Sequence, residues 1–310
     1  MSGFVIAFVT AEKEKNISTY AVARISRLYS ILIPALILTF TFDYIGFSYN
    51  PEFYLEGAWP FETEHSFLNY VLSFLWFRIF GILGLTYSIN QPFWSLTFEW
   101  FYYIIFACAF FIRSNLKYVA IAIFCLIAGP TIVALLPIWI AGFVLFKLMP
   151  SNNPVKNKQL KAVASMVSLI LMILLGPIVR DIAFTSDFIA RTELFGDYFD
   201  ALLFCIHIYY SPSLLMYFSK PLIKYKSIIN WLASLTFSLY LFHRPIIQTI
   251  AALNLGDKNN LIFLITLFLI PLLIVVILGR WSEKQKITIK LFLNRQLAKY
   301  GSKHVKQETH

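Results

Sequence analysis

Charge is scarce in this chain. Asp, Glu, Lys and Arg make up 14% of its 310 residues, against roughly 25% in an average soluble domain. That excludes an ordinary solvated globule, which needs charge over most of its surface. Cysteine is scarcer still. Cys108, Cys125 and Cys205 each fall inside an apolar run, so they read as small buried hydrophobes. No disulfide framework and no metal-spaced Cys/His cluster can be drawn from them. The sequence also lacks a Walker A loop, a GxSxG elbow and an HExxH pair. Phosphate-loop chemistry, covalent serine catalysis and metal-assisted hydrolysis therefore have no local support.

What the chain has instead is apolar length. Hydrophobic residues reach 59% and mean hydropathy is +0.70. A hydrocarbon core takes about 20 apolar residues to cross, and backbone inside it must bond to itself, which favours helices. The alternation of a membrane β-barrel is absent. Spans read at about 28–45, 66–86, 94–112, 160–178, 198–218, 229–252 and 260–280. A further stretch, 117–148, is interrupted by Gly129-Pro130 and Pro137 and reads as one kinked span or a tight pair. The expected fold is an all-α, polytopic transmembrane helix bundle of about eight or nine spans. Residues 1–280 would form the membrane domain and residues 281–310 a basic cytoplasmic tail.

Loop charge supports this order. The net charge of +10 would suggest nucleic acid in a soluble protein. Here Lys and Arg gather in short loops and the tail, as the positive-inside rule requires. Residues 10–27, with Lys13, Lys15, Arg24 and Arg27, read as a cytoplasmic loop. Residues 43–65 carry Asp43, Glu52, Glu56, Glu62 and Glu64 without Lys or Arg, and 180–200 are acidic on balance. Loops 147–161 and 219–226 are rich in Lys. The protein is expected in a bacterial inner membrane with its C-terminus in the cytoplasm, and in contact with lipid rather than nucleic acid. The apolar start, Met1 to Val9, is too short to span and lacks the basic flank of a signal peptide. It reads as the latter half of a helix.

A few polar groups stand within the apolar runs. Glu99 sits on the helix that contains Trp94, Ser95, Tyr102 and Tyr103. A carboxylate in hydrocarbon costs roughly 2.5–3.5 kcal/mol even on lenient scales, so it persists where it meets a partner or a polar cavity. Ser95 and Tyr103 lie one turn to either side, on the same face. The plainer alternative is a helix-end carboxylate reaching headgroup water. His243 and Arg244 lie well inside 229–252, with Tyr240 one turn before His243. His243 suits a general base or proton relay, or a structural contact between helices. Pro245 should free the carbonyl of residue 241. Arg24 and Arg27, on one helical face, suit phosphate or ordinary snorkelling at a span's end. Asp197, Asp200 and His207 form a looser set, with Asp197 also placed to favour a helix N-terminus.

Four pieces together resemble the acyltransferase family 3 proteins, integral membrane O-acyltransferases. They are Ser2-Gly3-Phe4-Val5-Ile6-Ala7, Ala23-Arg24-Ile25-Ser26-Arg27-Leu28-Tyr29, the run Pro92 to Tyr103, and Ser238-Leu239-Tyr240-Leu241-Phe242-His243-Arg244-Pro245. Each is short, but their order and spacing cover nearly the whole chain. The resemblance implies transfer of an acyl group, acetyl above all, from acyl-CoA as co-substrate to a hydroxyl of a surface glycan or exported small molecule. It implies no bound cofactor or metal. It places Arg24 and Arg27 on the CoA phosphates and makes Glu99, His243 and Tyr103 the catalytic candidates. Trp94, Ser95, Tyr102, Tyr240, Asp197 and His207 are the expected cavity lining. In the family the Ser-Gly-Phe piece lies in the second helix; upstream of it come a first helix with an Arg and, after that Arg, a His base. The expectation is that this chain starts after both. Arg244 stands where the family often has Trp. Two other readings stay open: a proton-coupled transporter or flippase of a glycan or lipid, and a non-catalytic truncated remnant.

Overall fold

A computed structural model describes residues 2–56, 90, 92–149, 157–253 and 260–307, with the side chains of 300–307 left aside. Every element in it is helical. In chain order they are α1 (Ser2–Glu12), α2 (Ile17–Tyr49), α3 (Pro51–Leu55), α4 (Phe93–Phe111), α5 (Leu116–Ala128), α6 (Pro130–Leu148), α7 (Lys158–Arg180), α8 (Leu194–Leu215), α9 (Ser219–Lys224), α10 (Lys226–Ala252) and α11 (Leu261–Gln307). The expected span 66–86 lies outside the described residues.

Six helices among the described residues are long and apolar enough to cross a membrane: α2, α4, α6, α7, α8 with its continuation to Lys224, and the first part of α11. The chain is an integral membrane protein. α10, expected as a span at 229–252, has the length with 27 residues but is not among the six. Its Lys226, His243, Arg244 and Gln248 dilute the apolar run.

Three expectations change. Residues 17–27, expected as a loop, are the first turns of α2, so Arg24 and Arg27 sit on a helix. α2 has 33 residues, about 50 Å at 1.5 Å per residue, and continues past Asp43, which is a buried helix residue and not part of a loop. The tail is helical too. α11 runs for 47 residues, about 70 Å, far longer than a hydrocarbon core of roughly 30 Å. The stretch 117–148, expected as one kinked span or a tight pair, breaks once, at Gly129, whose φ of 84° ends α5 and whose neighbour Pro130 opens α6. Glycine takes that φ without strain, and proline at the first helical position gives up a donor that has no partner there anyway. Pro137 stays inside α6 without ending it.

The described residues sort into two compact units. One holds the residues up to Asn16 and those from Phe98 to Ile229. The other holds those from Ile17 to Thr97 and from Asn230 onward.

In the first unit α1 lies against α6. The approach is close because both sides are glycine. A Cβ on Gly3 would stand 2.1 Å from the Trp139 carbonyl oxygen, and one on Gly142 would stand 2.9 Å from the Phe4 nitrogen. Small residues let membrane helices pack backbone to backbone, where dispersion replaces the missing hydrophobic drive. Tyr102, Phe106, Trp139 and Phe143 interleave α4 with α6. α7 packs on α8 through Ser165, Ser168, Gly176 and Gly196.

In the second unit α2 packs along α11, and α3 turns back against the end of α10. Tyr54 is fully buried, under Gly46, where a Cβ would meet the Tyr54 hydroxyl at 2.1 Å. The Tyr54 hydroxyl is 3.2 Å from Thr249 Oγ1, which donates to the Phe42 carbonyl at 2.8 Å. The Asn50 amide donates to the Ala252 carbonyl at 3.3 Å. Burial pushes the Tyr54 hydroxyl up to about 12, helped by the Asp43 carboxylate and opposed by the Thr249 hydrogen bond.

Two predictions follow from these contacts. Gly142→Leu must force α1 off α6, at about 1–3 kcal/mol or more, and should lower the thermal midpoint of the purified protein in detergent; an unchanged midpoint would refute the close packing. The Tyr54 contribution is complete below the phenol's ordinary value near 10 and is lost as pH rises through about 12. Stability of the wild type should therefore fall over that interval more steeply than that of Tyr54→Phe.

Candidate active site

In the first unit a carboxylate is gripped from two sides. Glu99 is half-buried on α4. The Ser2 hydroxyl at the start of α1 donates to Glu99 Oε1 at 2.8 Å. Tyr103, one turn on and buried, donates to the same oxygen. Oε2 takes part in neither bond. The shared face expected of Glu99 and Tyr103 is real. The third member, Ser95, turns elsewhere. Glu99 is thus engaged by protein donors rather than merely reaching headgroup water. Ser2 reaches it because Gly3 and Gly142 let α1 sit deep on α6. Ser2 was legible only as part of a motif, with no sign that its hydroxyl would find a carboxylate 97 positions away. Tyr102 is buried, and its hydroxyl donates to the Ile132 carbonyl at 2.8 Å, so it ties α4 to α6.

The loose set on α8 resolves into separate pairs. Asp197 takes a two-pronged bond from Arg191, Nε at 2.7 Å and Nη2 at 2.8 Å. Glu193 adds a contact at 3.0 Å. The Asp197 carboxylate pushes the Arg191 guanidinium up from its ordinary value, against the effect of burial. Asp200 pairs with Arg180, and Gly176 leaves room for it, since a Cβ there would stand 2.7 Å from Asp200 Oδ1. His207 goes to Ser165, with Nδ1 3.0 Å from the hydroxyl and 2.9 Å from the carbonyl. Asp200 and His207 share a helical face but not a partner. These pairs join α7 to α8 and order the segment between them.

In the second unit the late motif lies on α10. Tyr240 and His243 line a pocket of about 430 Å³ together with Thr236, Ile247 and, from α11, Phe268 and Pro271. The volume is within the roughly 300–1,000 Å³ of small-molecule sites. His243 Nδ1 is 2.8 Å from the Leu239 carbonyl. A carbonyl can only accept, so Nδ1 carries a proton, and in the neutral imidazole Nε2 is the nitrogen with the lone pair. The Tyr240 hydroxyl meets Ser95 Oγ at 2.8 Å, which explains why Ser95 is not with Glu99. Trp94 is half-buried beside Ser95. Arg24 is buried with its guanidinium 5.6 Å from the Tyr20 ring, and Arg27 is exposed.

Asn90 was not singled out from the sequence, yet its amide bonds two helices. It is fully buried. Its Nδ2 donates to the Leu241 carbonyl at 2.9 Å and to Thr39 Oγ1 at 2.7 Å. Leu241 is four residues before Pro245, so its carbonyl is the one that proline leaves without a helical donor. The freed carbonyl was foreseeable; the amide that fills it was not.

Residues 1–280 match the family model described as an acyltransferase domain, acyltransferase family 3. The chain belongs to that family. No curated protein and no solved structure matches it. The match covers nearly the full length of this membrane acyltransferase.

The amide bridge yields a measurable cost. Asn90→Ala leaves the Leu241 carbonyl bare in a dry interior, at about 1–3 kcal/mol. Chemical unfolding in detergent should show a loss of that order, with Asn90→Gln less affected than Asn90→Ala. Equal stability of wild type and Asn90→Ala would show that the carbonyl has another donor.

Proposed function

We propose that this acyltransferase moves an acyl group, acetyl in the first place, from acyl-CoA to a hydroxyl of a surface glycan or exported small molecule. The observation that carries this reading, beyond the family, is His243. Its Nδ1 hydrogen bond leaves Nε2 as a base at the wall of a pocket.

The reaction is direct transfer. The acceptor O–H gives its proton to His243 Nε2 while its oxygen attacks the thioester carbonyl. The tetrahedral centre collapses, the C–S bond breaks, and the thiolate of CoA recovers the proton from the imidazolium. Tyr240, held by Ser95, is a hydroxyl donor beside that base. Within the first unit, Ser2 and Tyr103 hold Glu99 by Oε1. Arg24 and Arg27 take the CoA phosphates from the cytoplasmic side, where positive loops belong. No cofactor or metal enters these steps.

The purified protein in lipid nanodiscs, given acetyl-CoA and a panel of glycan acceptors, should release CoA in an acceptor-dependent manner. His243→Ala should slow this by roughly 10²–10⁴-fold, the usual worth of a general base. Activity unchanged in His243→Ala would remove it as the base. Substrate uptake into proteoliposomes without any acyl-CoA would favour transport over transfer.

A further inference from the structure

α11 continues as one helix well past its apolar stretch, and this extension has an inward face. Ser282 is fully buried, and Lys286, Ile289 and Leu293 are half-buried, while Lys284, Ile287, Thr288 and Leu291 are exposed. Spacings of three and four mark one side of a helix. α11 packs against α2, so Lys286 stands on the packed side of the extension, not the wet one. On α2, Arg24 is 5% exposed, and Arg27 lies one turn further on. Lys290 follows Lys286 at i+4. The charges that act on Lys286 are those of Arg24, Arg27 and Lys290, opposed by Glu283.

Such a group is costly when nothing is bound. A half-buried ammonium loses hydration, and the nearby cations repel it. A polyanion seated among them offsets both effects with charge-assisted hydrogen bonds. CoA has two separate anionic parts, a pyrophosphate and a ribose phosphate. The Arg forks suit one of them bidentately. Compact ammonium groups serve as point charges for the other.

We propose that Lys286 and Lys290 of α11 join Arg24 and Arg27 of α2 in one anion site that holds the phosphates of the acyl donor. The C-terminal extension is then part of the donor site rather than a tail. This rests on the acyl-CoA reading given above. A phospholipid headgroup offers the same phosphate chemistry, so the test must separate the two.

The full chain is placed in zwitterionic and in anionic-lipid nanodiscs and titrated with CoA itself. Lys286→Glu and Lys290→Glu should each weaken CoA binding by about tenfold, the worth of one charged hydrogen bond. Lys286→Arg should restore it. Lys284→Glu, on the exposed side of the same helix, should bind as wild type. In turnover, the two Glu variants should raise KM for acyl-CoA with kcat kept. Lys290 is exposed, so its variant remains informative if Lys286→Glu fails to fold. Wild-type affinity for CoA in both variants overturns the proposal. So does loss of retained anionic lipid with CoA binding intact, which would assign the site to a headgroup. No CoA binding by the wild type in either disc would instead sink the acyl-CoA reading itself.

Discussion

A carbonyl without a donor inside a membrane is the constraint from which the second unit can be understood. Leaving it bare in a dry interior costs about 1–3 kcal/mol. Pro245 creates one at Leu241, in the middle of the helix that carries Tyr240 and His243. Asn90 fills it and bonds Thr39 of α2 with its other amide proton. One side chain thereby fixes the irregular turn of α10 relative to α2. Proline-broken helices in membranes survive when a neighbour satisfies the freed group. Here the neighbour is Asn90, in the same unit as α10.

The first unit solves a different problem by a related means. A carboxylate on an apolar helix needs donors, and the nearest helices offer few. α1 brings the Ser2 hydroxyl within reach only because two glycines allow backbone contact with α6. Packing therefore comes first and electrostatics second. Remove the glycine contact and the serine is withdrawn, although neither glycine has any chemistry of its own. The charged pairs of α7 and α8 follow the same pattern, with Gly176 making room for Asp200 and Gly196 for Arg180.

What could be read from the sequence was whatever depends on local chemistry. The span expected at 94–112 is α4 at Phe93–Phe111, because a run of aromatic and apolar residues leaves the backbone no alternative. Gly129-Pro130 marked a break, and the left-handed φ of Gly129 is that break. Tyr240 and His243 share a side by helical spacing alone. The start of α2 was not legible, since positive charge at 13–27 argues for a membrane side and says nothing about whether the backbone coils. The length of α11 was hidden for the same reason. Pairings across long sequence separations were hidden more deeply. Ser2 with Glu99, Asn90 with Leu241 and Ser165 with His207 each depend on which helices lie side by side, and hydropathy is blind to that.

His243 shows how the two kinds of information combine. Its position within an apolar helix marks it as unusual, but its chemistry depends on which ring nitrogen is free. That is decided by the Leu239 carbonyl, one turn back, which takes the Nδ1 proton. In a regular helix this carbonyl is already occupied by the backbone N–H of residue 243, so the imidazole shares it. Sharing is easier next to a kink, where hydrogen bonds on the opened side lengthen. Pro245, two residues on, removes one backbone donor from the same stretch, and Asn90 donates to the carbonyl that it frees. The His243 ring, the pocket it lines and the carbonyl bonded by the buried amide thus lie on one stretch of α10.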